Sequence, residues 1–262
     1  MAKKPKNTAP VTDRQAKIDA AAKANKPGPN KILIGTIVAL LAIIGVVAGV
    51  IIADQSNRGD SPAAAAGSLP PGLSEGEGYV ANPDATLVDG APTLDIYEDF
   101  RCPACHRAYA VFHDTVSTLA DEGKVKLVYH FKTVIDSQDG NTHSRDAAAA
   151  AMCAADAGQF SEFHEAVLGG IVDGGGQQPQ WGDAFFTSAA EQAGITGDAL
   201  TTFDSCVADG TYEAYISGVD QASAAEGVNS TPQYHLNGEL VDFQTVNTPE
   251  LFVQAVENAT GQ

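Results

Sequence analysis

The sequence predicts an α/β domain, interrupted by an inserted helical segment and preceded by a single membrane-spanning helix. Three observations predict it. An uncharged apolar run, ILIGTIVALLAIIGVVAGVII from Ile32 to Ile52, is as long in helical form as a hydrocarbon core of about 30 Å. A strand, helix and strand surround a C-x-x-C at Cys102 and Cys105. An Ala-rich stretch with helical character then separates this unit from a hairpin signal and a terminal helix.

The chain has 262 residues, 44% of them hydrophobic, enough for one packed domain with appendages. Its net charge of -18 is unevenly placed. Residues 1–31 carry Lys3, Lys4, Lys6, Arg14, Lys17, Lys23, Lys26 and Lys31 against Asp13 and Asp19 alone, so the acidity lies beyond Ile52. The run at 32–52 has no polar face, which separates it from a buried globular helix. It is also longer than the apolar core of a cleaved signal peptide, about 7–15 residues. An uncleaved anchor in the lipid bilayer is therefore expected. The basic tail, 1–31, stays cytoplasmic by the positive-inside tendency, and the acidic remainder lies outside the cell membrane. The tail has neither the aromatic residues nor the motifs of nucleic-acid binding. Residues 53–78 are rich in Pro, Gly, Ser and Ala and poor in large apolar side chains, which predicts a disordered linker. The folded domain is expected over 79–262.

Thr93 to Phe100, TLDIYEDF, mixes β-branched and aromatic residues with acids and reads as a strand. Behind the dithiol, Cys105, Ala108, Phe112, Val116 and Leu119 recur at helical spacing and stop before Gly123. The C-x-x-C therefore opens a helix, with Pro103 at its first position. There the unpaired amides favour ionisation of Cys102, while Cys105 lies on the apolar stripe and is shielded. Val125 to Val134 is a second strand, completing a β-α-β unit. A helical insertion is expected over about 140–227, broken by a Gly- and Gln-rich loop at 169–181. Asn237-Gly238 between Gln233–Leu236 and Glu239–Phe243 signals a hairpin. A last helix starts at Pro249, capped by Thr248.

Cys102, Cys105 and His106 also spell C-x-x-C-H, the attachment spacing of a c-type haem. The distal ligand is the difficulty, because Met152 is the only methionine after Met1 and sits beside Cys153 in an Ala-rich helix. No cofactor is expected. The remaining histidines lack zinc spacing, so no metal site is expected either.

The order of YEDFRCPAC, SRDAAAAAMCAADAGQFSEFHEAVL and VNSTPQYHLNG resembles the DsbA-like thiol-disulfide oxidoreductases of the thioredoxin fold, including actinobacterial ones, from Ala91 to the C-terminus. The resemblance implies a thioredoxin-like fold with an inserted helical subdomain. It makes Cys102 the exchanging sulfur, Cys105 the resolving sulfur, Pro232 a cis-proline facing them and Thr231 a backbone partner for a bound peptide. Glu98 and Asp99 either assist proton transfer or solvate the strand end, and the second reading is the expected one. Relatives often carry an acid inside this strand where the chain has Ile96. His106 is expected to face solvent or stand behind the cysteines. An even cysteine count outside the cytoplasm points to a structural Cys153–Cys206 disulfide, with a second redox pair as its rival. Exported proteins with free thiols are the implied substrates, and a membrane enzyme of the DsbB or vitamin K epoxide reductase type the implied reoxidant. Alternatives are a reductase or isomerase on the same fold, a non-catalytic client-binding module, and the haem protein.

Overall fold

In the structure, a computed structural model, residues 68–261 are described. The tail at 1–31, the expected span at 32–52 and the linker up to residue 67 lie outside the described residues. Among the described residues no helix is long and apolar enough to cross a membrane.

The chain runs through β1 (Tyr79–Val80), β2 (Thr93–Glu98), α1 (Pro103–Asp121), β3 (Lys126–Phe131) and the short α2 (Val134–Asp139). Five helices follow, α3 (His143–Asp156), α4 (Phe160–Asp173), α5 (Asp183–Gln192), α6 (Asp198–Ala208) and α7 (Glu213–Ala225). The chain then returns through β4 (Gln233–Leu236), β5 (Glu239–Leu240) and α8 (Pro249–Ala259). The sheet order is β1-β3-β2-β4-β5. The pair β2 and β3 is parallel, with Leu94 opposite Leu127, and β4 runs antiparallel to β2, with Leu94 opposite Leu236. This is the mixed, thioredoxin-like sheet with added helices.

Local chemistry explains the elements. The stripe of α1 is buried at Cys105, Ala108, Tyr109, Phe112, Val116 and Leu119, and α1 packs against α4 and α8. Leu94, Ile96 and Glu98, spaced by two, share the deeply buried face of β2. Asn237 (φ 50°) and Gly238 (φ 82°) both take the left-handed conformation that a tight hairpin turn requires. The Thr248 hydroxyl accepts from the Leu251 amide and caps α8. In α3 every residue from Ala147 to Cys153 is buried. Its alanines let α4, α6 and α7 approach on several sides, so the most alanine-rich segment is the centre of the insertion.

Several boundaries differ from expectation. Strand β2 stops at Glu98, and β5 is only two residues long. Val134, read as the end of β3, instead begins α2, because the Asp99 carboxylate binds the Ile135 amide and turns the chain. Helix α4 continues through Gly169 and Gly170 to Asp173. The described part of the expected linker is held against the domain. Leu73 packs on the core and Tyr215 donates to the Glu77 carbonyl at 2.8 Å. A Cβ at Gly78 would come within 2.6 Å of the Val128 and His130 side chains. Glycine is thus selected there by close packing, and composition alone mistook it for flexibility.

Cys153 and Cys206 are joined, linking α3 to α6 across 53 residues of sequence. Constraint of the unfolded chain by such a link is worth about 2–4 kcal/mol. Replacing both cysteines by alanine should lower the melting temperature by about 4–16 °C. Thiol exchange at Cys102 should survive at 25 °C, checked by thermal unfolding and a thiol-exchange assay on the same sample. Loss of exchange with an unchanged melting temperature would instead identify a second redox pair.

Candidate active site

The two free cysteines stand at one end of α1. Cys102 occupies the cap position in extended backbone, and Pro103 follows where its missing N–H costs nothing. Cys102 is 7% exposed and Cys105 2%. In this dithiol state the Cys102 thiol donates to the Thr231 carbonyl at 3.6 Å.

Their surroundings make the two sulfurs unequal. The Cys102 pKa is lowered to about 5, chiefly by a hydrogen bond from the Cys105 thiol and against the effect of burial. The Thr231 side chain and the first-turn amides of Cys105 and Ala104 pull in the same direction. The Thr231 hydroxyl is buried with no other partner, so it is free to donate to a thiolate. Burial pushes the Cys105 thiol far up, and the charges of Cys102 and Glu98 add to this. One sulfur is thus a thiolate at neutral pH and the other a thiol. The Thr231-Pro232 peptide bond is cis, and the loop that carries it faces Cys102 through Thr231.

Glu98 and Asp99 correct the solvated-end reading, for they are only 4% and 1% exposed. Asp99 accepts from the Arg101 amide at 2.8 Å and the Ile135 amide at 2.9 Å, pinning the loop that presents Cys102. Burial nevertheless raises its pKa to about 6. Glu98 answers the question posed by Ile96. It lies two residues on, hence on the same face of β2, and supplies the interior acid near the end of the strand. Its carboxylate meets His164 Nε2 of α4 at 2.5 Å.

His106 is 4% exposed, which corrects the solvent-facing alternative. Its Nε2 lies 2.7 Å from the Phe100 carbonyl, and since a carbonyl only accepts, this nitrogen carries the proton. A buried ring whose Nε2 is engaged by a backbone carbonyl does not fit the axial ligand of a haem attached at C-x-x-C-H. Among the described residues no three His, Cys, Asp or Glu side chains are placed to hold a metal ion.

Sequence reading missed two contributors. Arg101 is clamped by Asp136 at 2.9 Å, Asp139 at 2.6 Å and Asn141 at 2.7 Å, which ties the residue before Cys102 to α2 and to the start of α3. Nothing in local spacing announces that clamp. His164 had a readable signal, because it falls on the same buried stripe as Phe160, Phe163, Val167, Leu168 and Ile171. A polar ring on an apolar stripe needs a buried partner.

The family model described as thioredoxin matches residues 88–258. A solved disulfide bond oxidoreductase (DsbG) from Mycobacterium tuberculosis, in its reduced form, is 30% identical, with a TM-score of 0.56, covering 70% of this chain and 86% of that one. Oxidised DsbA of Mycobacterium tuberculosis is also 30% identical, with a TM-score of 0.55 over 70% of this chain and 92% of that one. MdbA, a thiol-disulfide oxidoreductase from Actinomyces oris, reaches a TM-score of 0.64 at 21% identity, covering 74% of this chain and 94% of that one, and shows the fold alone. No curated protein matches the chain.

Proposed function

Because the chain belongs to the thioredoxin family and is a DsbA-like thiol-disulfide oxidoreductase, we propose that Cys102 and Cys105 are its exchanging pair and that it donates disulfides to exported proteins. The observation that carries this reading is the inequality of the two sulfurs. A reactive sulfur with its pKa near 5 is a good leaving group, and a pair whose reduced form contains such a thiolate is a strong oxidant.

The step proceeds from the oxidised pair. A client thiolate attacks Cys102 Sγ, the Cys102–Cys105 bond breaks, and Cys105 leaves and takes up a proton. A second client thiolate then attacks the client sulfur of the mixed disulfide, and Cys102 leaves as a thiolate. The client loses two electrons and the enzyme gains them. Thr231 and Pro232 lie at the attacked sulfur and would hold the client backbone, while Glu98 is the acid whose charge acts on Cys105. The acidic domain disfavours anionic clients at low salt.

The reading extends to the rest of the chain. Residues 32–52 anchor the protein in the cell membrane, with residues 1–31 in the cytoplasm and the domain outside. A membrane reoxidase of the DsbB or vitamin K epoxide reductase type returns the pair to the disulfide. The apolar run, the charge asymmetry and the family support this arrangement.

The test is the reduction potential of Cys102–Cys105 in the full chain, measured by thiol trapping across glutathione buffers. A value near about -120 mV is expected for a disulfide donor. A value near about -270 mV would make the protein a reductase, a difference of roughly 7 kcal/mol for a two-electron couple.

A further inference from the structure

The Glu98–His164 pair is more than a buried charge with a partner. His164 is 3% exposed and boxed by the rings of Tyr129 at 4.8 Å, Phe100 at 5.5 Å, and Tyr109 and Phe160 at 5.8 Å. It also forms part of the wall of a cleft of about 310 Å³ on the flank of α1, with His113, Ser117, Asp121, Glu162 and Glu165. One side chain therefore touches both the buried acid and an open cleft. His113 lies eleven positions beyond Cys102 on α1, so at 1.5 Å per residue the opening is roughly 16 Å from the surface that a client covers.

Exchange forces a proton onto or off Cys105, because burial holds that sulfur as a thiol in the reduced protein. A client on Cys102 would cover the cap end of α1, whereas the cleft opens further along that helix, at His113, Ser117 and Asp121.

On the reading that Cys102 and Cys105 exchange disulfides, we propose that His164 carries the Cys105 proton between Glu98 and the rear cleft, so that the resolving sulfur titrates behind a bound client. Glu98 is the acid whose charge reaches the Cys105 sulfur, and His164, bonded to Glu98, acts through it as a positioning residue. When the reduced protein is oxidised, the Cys102 thiolate first attacks a disulfide and displaces one thiolate, leaving a mixed disulfide. The Cys105 thiol then gives its proton to Glu98, and His164 passes a proton to water in the cleft. The Cys105 thiolate attacks Cys102 Sγ, the mixed disulfide breaks, and the second thiolate leaves. Donation to a client runs the same proton inward. The titratable groups around His164 are Glu98 from β2, Tyr129 from β3, and Tyr109 and His113 from α1, with Asp121, Glu162 and Glu165 in the same cleft wall. Burial and His164 hold His113 below the ordinary histidine value, which favours its neutral form and leaves the relay to His164.

The experiment separates the two chemical steps in the reduced full chain, using oxidised glutathione and rapid acid trapping. His164→Gly should form the Cys102 mixed disulfide at the wild-type rate but resolve it about 10- to 100-fold more slowly, the low end of a positioned acid–base contribution. Imidazole, small enough for the cleft, should restore the second step. His164→Gln, which keeps a hydrogen bond to Glu98 without carrying a proton, should show the same slow resolution, recovering as pH rises. It serves as the test if the glycine variant does not fold. Resolution at the wild-type rate in the folded variant would overturn the relay, and so would slow resolution in the glycine variant that imidazole leaves unchanged. Absence of any Cys102 mixed disulfide in the wild-type protein would overturn the exchange reading itself.

Discussion

Cys102→Ser is expected to abolish exchange, lowering turnover at least about 10³-fold, a modest part of what enzymes commonly contribute. Cys105→Ser is expected to behave differently, capturing clients in a mixed disulfide that it resolves slowly. The asymmetry follows from geometry. Cys102 caps α1, where the first-turn amides meet its thiolate, whereas Cys105 lies a turn deeper, on the buried stripe. Serine at Cys102 keeps the volume but offers no thiolate, so neither substrate attack nor release has a sulfur to use. Trapping with an alkylating agent, followed by separation under non-reducing conditions, distinguishes the two variants. Equal activity of Cys102→Ser and wild type would sink the assignment.

The same asymmetry fixes the dependence on pH. The folded pKa of Cys102, about 5, lies below the ordinary value of a thiol. The extra stability of the reduced protein is therefore complete above that ordinary value and is lost as pH falls through about 5. The disulfide form has no such titration. The stability advantage of the reduced over the oxidised form should accordingly shrink on acidification, and attack by Cys102 should slow about tenfold per pH unit below the same midpoint. Thiolate absorbance gives the midpoint directly, and paired melts of both redox forms give the stability change. Asp99 runs the other way. Burial raises its pKa to about 6, so it costs stability as pH rises from the ordinary carboxylate value toward 6, equally in both redox forms, and cancels from the comparison.

The contrast between Cys102 and Lys132 shows what a sequence can disclose. The dithiol, its helix, the hairpin and the order of elements were legible because each leaves a local mark: a stripe, a proline at a first turn, an Asn-Gly. The insertion was legible as Ala-rich helix broken at 169–181, but the packing of its five helices was not, since alanine records burial without recording which neighbour it faces. Glu98 was misjudged because an acid next to a loop resembles a solvated end. Only the two-residue spacing from Ile96, together with a partner 66 positions away, places it inside. Arg101 and Lys132 were illegible for the same reason, as both are satisfied by residues distant in sequence.

Lys132 supplies the largest stability effect. It follows β3 with a side chain 1% exposed, and its ammonium is held by Asp220 Oδ1 at 2.6 Å, the Asp220 carbonyl at 2.9 Å and Ser223 Oγ at 2.8 Å. These contacts fasten α7 to the end of β3. Asp220→Ala removes the compensating charge and leaves a buried ammonium with two neutral acceptors, at an expected cost of about 3–5 kcal/mol. The melting temperature should fall by about 6–20 °C. Lys132→Met should cost less, because the remaining Asp220 side chain is 23% exposed and still accepts from the Thr133 hydroxyl at 2.6 Å, so water can share its charge. A double variant, Lys132→Met with Asp220→Leu, should recover most of the loss, since the desolvation of both ions disappears together. Chemical denaturation of the three variants measures the coupling, and titration of Cys102 in each should stay near 5, because no group of the pair touches the dithiol. Purely additive losses would mean that the ion pair does not join α7 to the sheet.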